Sequence, residues 1–245
     1  MKIFRAILVS AAVLLLWAEV AGCSNVASKE NQGPTRSSSS SKRPEKSEDG
    51  AKLKELIAAI RQGDSNTVAS LLRVSVNPNG YFVTTPLNAA AECGQLEIVR
   101  LLLNHGASVN LKAVNETTPL MASVAYPGVV KLLLLRGAKV NTVDKVNGTT
   151  ALMCAAGGPS QDMLRLGLPL DASEVSEDLK QERLNFFETV KLLVSHGANV
   201  NAKDKSGLTP LRYAAVGGQT EIIQYLLEHG AVDSRGGQSF QRNRE

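Results

Sequence analysis

The side chains that could do chemistry in this sequence are few. Three histidines, His105, His196 and His229, could in principle ligate one metal ion, since imidazoles are common metal ligands. Their setting argues otherwise. Each stands directly before a Gly-Ala pair, and Arg136 fills the same place in a fourth copy of the pattern. A basic group there meets the negative end of a helix. Cys93 and Cys154 occupy different places in units separated by a whole repeat, so their Cα atoms should be too far apart for a disulfide. They read as free thiols, buried or half-buried. Ser195 and His196 are neighbours at a helix end and cannot face each other as nucleophile and base. Gly157-Gly158-Pro159 is a turn rather than a phosphate loop, and the carboxylates of residues 159–188 suit a solvated helix face. The expectation is no catalytic residue, no metal, no cofactor, no small-molecule substrate and no enzyme.

The elements that hold these residues recur along the chain. The stretch from Gly197 to Ala231 opens and closes on Gly-Ala. Between these pairs Thr209-Pro210-Leu211 is a helix start, with Thr209 placed to cap and Pro210 at the first helical position, where its missing N–H costs nothing. Gly217-Gly218 ends that short helix. Ile222, Ile223, Leu226 and Leu227 then mark one face of a second amphipathic helix, which stops at His229-Gly230. Neither helix can bury its apolar face alone, so stacked copies are required. Copies of the start lie at Thr85-Pro86-Leu87-Asn88, Thr118-Pro119-Leu120-Met121 and Thr150-Ala151-Leu152-Met153. The successive threonines are 33, 32 and 59 residues apart. Val76-Asn77, Val109-Asn110, Val140-Asn141 and Val200-Asn201 repeat in step. An aromatic content of 4% fits a core of Leu, Ala and Val.

This pattern resembles the ankyrin repeat, whose T-P-L-H-x-A signature the four threonine-led copies follow in outline, with the histidine replaced every time and Ala151 standing for the proline in the third copy. The resemblance covers roughly residues 51–233. It implies an all-α solenoid of about five helix-turn-helix units joined by hairpin-like loops: 51–80, 81–113, 114–145, 146–204 and 205–233. In such proteins a protein partner docks on the hairpin tips and the first helices, along a concave groove. Carried over by position, the groove holds Tyr81, Phe82, Glu92 and Cys93, then Val114, Asn115, Ala125 and Tyr126, then Val146 and Asn147, then Lys205, Ser206 and Val216. Tyr81, Phe82 and Tyr126 are the expected anchors, because aromatics offer large contact area at little entropic cost.

Two units depart from the period. The third is two residues short near Tyr126-Pro127-Gly128. The fourth carries an insertion at about 159–187, with seven acidic and three basic residues between Pro159 and Glu188. Asp171 and Glu174 have capping-box spacing, and Leu179, Arg183, Phe186, Phe187 and Val190 continue at helical spacing. The spacing predicts one long helix from about Ala172 that merges with the unit's second helix and projects at its start. Leu164, Leu166, Leu168 and Leu170 alternate in the loop before it. This insertion is either a loop folded on its own repeat or a partner-specific element.

Residues 1–22 read as a leader: Lys2 and Arg5, then an apolar run from Ile7 to Trp17, too short to span a bilayer. Val20-Ala21-Gly22-Cys23 resembles the lipobox of bacterial lipoproteins. The resemblance implies a lipoprotein signal peptide, cleavage before Cys23 and acyl chains on it (palmitate among them), which together anchor stably. The alternative is an ordinary secretory signal that happens to contain a cysteine. Ser24 in place of Asp favours the outer membrane, facing the periplasm. Residues 23–50 are then anchor and tether, with serine from Ser37 to Ser41, an r.m.s. span of about 30 Å and a stretched limit near 90 Å. Residues 234–245 read as a polar, disordered tail. A net charge of +4 and an envelope address disfavour nucleic acid. The leading functional expectation is a lipid-anchored module that binds another protein. The other is an inhibitor or immunity protein that neutralises an envelope-acting enzyme through the groove or the insertion.

Overall fold

A computed structural model describes residues 48–81, 84–114, 116–158 and 177–232. Among these residues there are ten helices and one isolated antiparallel bridge, Val143 to Thr150. The helices are α1 (Glu48–Gln62), α2 (Ser65–Arg73), α3 (Pro86–Glu92), α4 (Leu96–Asn104), α5 (Pro119–Ala122), α6 (Pro127–Leu135), α7 (Ala151–Gly157), α8 (Glu177–Ser195), α9 (Pro210–Val216) and α10 (Thr220–Glu228). None is long and apolar enough to cross a membrane. The expected signal peptide, Cys23 and most of the tether lie outside the described residues, as do the leucines at 164–170 and the tail from 233.

Consecutive helices pair into five units, and the units stack in two layers. The first helices form one row, α1 on α3, α3 on α5, α5 on α7 and α7 on α9; the second helices form the other, from α2 to α10. The reason lies in which residues are small. Ala89, Ala90 and Ala91 of α3, and Ala151, Ala155 and Ala156 of α7, are all buried, letting neighbouring helices approach closely. The larger side chains, Ile98, Leu102, Leu133, Leu193, Ile222 and Leu226, fill the space between the layers. α1, described from Glu48, reaches into the stretch read as tether and buries Leu53, Leu56, Ile57 and Ile60 within the array.

Three helix starts follow the expected chemistry. Thr85, Thr118 and Thr150 each accept a hydrogen bond from the backbone N–H three residues on, at 3.1, 3.3 and 3.3 Å. Thr209 does not: Arg212 N–H donates to the Thr209 carbonyl at 2.9 Å, a tighter first turn that consumes the donor the hydroxyl would have capped. Thr209 is buried and its hydroxyl has no partner. The helix ends are uniform, with Gly106, Gly137, Gly197 and Gly230 all near φ +82 to +86°, where a side chain would be strained.

The fourth unit carries the long helix. α2, α4, α6 and α10 have 9 residues each, whereas α8 has 19. It is described from Glu177 onward, the expected start near 172 lying outside the described residues, and its described part does not stand clear of the array. Phe186 is buried, and Arg183 donates to the Gly218 carbonyl at the α9–α10 turn at 3.2 Å. Phe187 meets Tyr225 of α10 edge-on at 5.7 Å, with Lys191 over its ring at 4.9 Å.

Candidate partner-binding surface

The tips between units are built from three kinds of side chain. The first is an asparagine that clamps each unit to the next. Asn110 donates to the Gly137 carbonyl at 3.2 Å and accepts from Lys139 N–H at 2.8 Å. Asn141 does the same with Gly197 and Asn199 at 2.9 and 2.8 Å, and Asn201 with Gly230 and Val232 at 2.8 and 2.9 Å. At the first junction the clamp is Asn79, bound to Gly106 and Ser108 at 2.9 and 2.7 Å. Asn77, which the sequence pattern aligns with the others, accepts only from Asn79 N–H at 2.9 Å. A fifth junction contact comes from Asn88, where the repeat signature has histidine: its side-chain amide donates to the Thr117 carbonyl at 2.8 Å.

The second kind is a buried aspartate inside the tip. Asp144 accepts from Asn147 N–H at 2.7 Å, from Thr149 N–H at 2.8 Å and from the Thr149 hydroxyl. Burial alone would raise its pKa; the hydrogen bonds from Thr149 and the backbone outweigh it and hold the carboxyl below its usual range. Asp204 accepts from Ser206 and Leu208 N–H and from the Tyr213 hydroxyl, each at 2.8 Å. Burial, and then that bond to a carboxylate, push the Tyr213 phenol well up.

The third kind is lysine. Lys112 reaches the Val143 carbonyl at 3.0 Å and Glu116 at 3.2 Å, while Lys145 meets the other Glu116 oxygen at 3.0 Å. These two ammonium groups, Lys145 foremost, hold Glu116 below the usual carboxylate range. Lys205 donates its backbone N–H to the Asn147 carbonyl at 2.8 Å and its ammonium to the carbonyls of Lys145 and Val146. Lys205, expected as a partner contact, is thus occupied in tying one tip to the next.

The expected groove residues fall at two levels of the units. Tyr81, Val114, Val146, Asn147, Lys205 and Ser206 are exposed on the tips. Glu92, Cys93, Ala125, Tyr126 and Val216 lie at the far ends of the first helices or in the turns after them. Phe82 and Asn115 lie outside the described residues. The tip patch has a simple pattern: Tyr81 (43% exposed), Val114 (58%), Val146 (54%) and Leu208 (38%) stand one per tip, with Val143 also exposed. Val143 and Leu208 were not among the expected contacts; Val143 directly precedes Asp144, and Leu208 stands four residues after Asp204, to which it donates its N–H.

The far patch centres on Tyr126, whose ring lies so close over Gly94 that a Cβ there would collide with it. Burial, followed by the charges of Cys93, Glu182 and Glu92, pushes its phenol up. Burial likewise raises Glu92, with Arg61 pulling the other way, and raises Glu182 of α8. Cys93 and Cys154 are both free. Cys93 is exposed rather than buried, because it sits in the turn after α3. Burial, then the Asp144 charge, push the Cys154 thiol up to about 12. The histidines serve their own helices: the Nδ1–H of His105, His196 and His229 donates to the carbonyl four residues back, each at 2.8 Å. Ser195 Oγ does lie 3.3 Å from His196 Nδ1, but its hydroxyl donates to the Leu192 carbonyl at 2.9 Å.

Family models described as ankyrin repeats match residues 56–144 and 184–227, on either side of the insertion. Among curated proteins, a probable E3 ubiquitin-protein ligase of Oryza sativa subsp. japonica is 34% identical over 72% of this chain and 38% of its own length. An E3 ubiquitin-protein ligase of Arabidopsis thaliana is 31% identical over 72% of this chain and 36% of its own. An ankyrin repeat and KH domain-containing protein of Caenorhabditis elegans is 32% identical over 74% of this chain and 8% of its own. The chain therefore spans little more than a third of the plant relatives and under a tenth of the worm one.

Proposed function

The chain belongs to the ankyrin-repeat family, a protein-interaction fold, and from that premise we propose a binding module without chemistry of its own, held at a bacterial envelope by a lipid on Cys23. The likeness to the plant ligases is confined to a part of their length that this array can account for, so it supports the interaction role alone. The observation that carries the reading is the apolar row on the tips. Exposed apolar side chains in series are docking candidates. Here their spacing is fixed by the asparagine clamps and lysine bridges, so a partner meets a preorganised surface and little ordering cost remains. The anchor rests on Val20-Ala21-Gly22-Cys23 and on a tether long enough to hold the array off the membrane.

The test is in-cell crosslinking and pull-down of the parent beside a Tyr81→Ala, Val146→Ala, Leu208→Ala variant. One envelope protein recovered with the parent and lost with the variant supports tip docking. Equal recovery from both refutes it. Separately, Cys23→Ala should move the protein out of the membrane fraction; continued membrane retention with palmitate incorporation would sink the lipid assignment. A second reading, an inhibitor of an envelope-acting enzyme, draws on the insertion helix, which holds Leu184 exposed on an element a regular array lacks.

A further inference from the structure

The fifth unit ends the described array, and its downstream surface is of the wrong kind to face water. The comparison is internal. Ala91 and Val99 of the second unit, Val124 and Val130 of the third, and Ala156 and Val190 of the fourth are all buried, because another unit stacks on them. The equivalent residues of the fifth unit are Ala215, now exposed, and Ile223, now half-buried. Leu227 is 42% exposed, where its counterparts Leu103 and Val194 are half-buried and Leu134 is buried. The first unit behaves differently: α1 turns Lys52, Glu55, Arg61 and Gln62 to solvent. Terminal units of such arrays need a polar outer face to stay soluble. The N-terminal unit has one, and the C-terminal unit keeps an interior-type face.

We propose that residues 233–245 of this chain cover that face, with Phe240 seated against Ala215, Ile223 and Leu227. Three observations select this occupant. Phe240 is the one bulky apolar side chain in a segment that is otherwise Asp, Ser, Arg, Gly, Gln, Asn and Glu. The segment leaves the array at Val232, whose N–H is pinned by Asn201, so it starts beside the face. The eight residues from Val232 to Phe240 reach up to about 26 Å, well beyond the roughly 14 Å length of α10. Its charge also fits: Arg235, Arg242 and Arg244 approach a helix that exposes Glu221 and Glu228. Intramolecular attachment then gives the segment an advantage over any free competitor.

Disulfide trapping in the full chain tests this. Glu228→Cys and Ser239→Cys flank Leu227 and Phe240 without removing either. Mild oxidation and peptide mapping should give a 228–239 bond within a monomer. Adding Phe240→Ala should slow its formation about tenfold or more, the loss expected on removing one buried aromatic anchor. Three results overturn the proposal. A 228–228 bond in a dimer would assign the face to a second copy. An intrachain bond unaffected by Phe240→Ala would show that nothing is seated. No bond at all would leave the segment away from the face.

Discussion

Replacing Asn79 by Ala and, separately, Asn77 by Ala separates what the sequence pattern says about the first junction from what the structure says. Asn79→Ala removes two hydrogen bonds between units, to Gly106 at 2.9 Å and from Ser108 at 2.7 Å. Asn77→Ala removes one local bond at 2.9 Å within its own turn. A net intramolecular hydrogen bond contributes about 0.5–1.5 kcal/mol, and these sites are solvent-accessible, so water replaces part of the loss. Asn79→Ala should therefore cost about 1–2 kcal/mol and Asn77→Ala about 0.5 kcal/mol. Near Tm, for an array of this size, that is about 2–8 °C against 1–2 °C. Urea unfolding followed by circular dichroism measures both, with Asn141→Ala as an interior clamp expected to match or exceed Asn79→Ala. Loosening at the first junction alone would lower m as well as the midpoint, because units at an end can open first. The reasoning fails if Asn77→Ala costs as much as Asn79→Ala, since the pattern would then have identified the working residue and the geometry would not.

Further outcomes follow from single sites. Thr85→Val should cost about 1 kcal/mol by removing a helix cap, whereas Thr209→Val should be neutral or stabilising because its buried hydroxyl is unpartnered; equal losses in urea unfolding would contradict the assigned caps. Alkylation under native conditions, read by mass spectrometry, should modify Cys93 much faster than Cys154: burial raises both thiols, but Cys93 is exposed while Cys154 is pushed up to about 12; comparable rates in the folded protein would refute it. Asp144 has a folded pKa below its unfolded one, so its contribution is present above the ordinary carboxylate range and lost as pH falls through the lowered value. Asp144→Asn should accordingly flatten stability against pH on the acid side; an unchanged slope would remove Asp144 from the account.

The architecture was legible because it depends on period and on residue size. The threonine starts, the Gly-Ala ends and the apolar stripes each have one structural solution when stacked, and the helices fell where they placed them. What stayed hidden depends on contacts across the period. Val76-Asn77 mimics the later Val-Asn pairs but lies two residues out of register: Ser75, at φ +65°, stands where Gly106 stands, so Asn79 and not Asn77 is the counterpart of Asn110. Thr209 looks identical to Thr85 in sequence, yet a tighter first turn leaves its hydroxyl idle. Lys205 looks like a free tip charge, and only the neighbouring carbonyls reveal its bridging. The groove residues, carried over by position, lie partly on the tips and partly at the far ends of the first helices.

The two departures from the period, read separately in the sequence, meet in space. The third unit is two residues short beside Tyr126, and the fourth is long through α8. The far patch joins them: Tyr126 covers Gly94, and Glu182 of the α8 extension bears on the Tyr126 phenol. Arg183, one residue on, bonds to the turn of the fifth unit. The extension thus bears on the third and fifth units as well as its own, and it is part of the array. Removing residues 160–185 would strip out these contacts and could abolish binding or protection simply by loosening three units. A deletion of 160–176 spares the described part of α8 and isolates the rest of the insertion. Loss of protection against an envelope enzyme, with the unfolding midpoint unchanged, would then point to the inhibitor reading. Retained binding would leave the tips as the working surface.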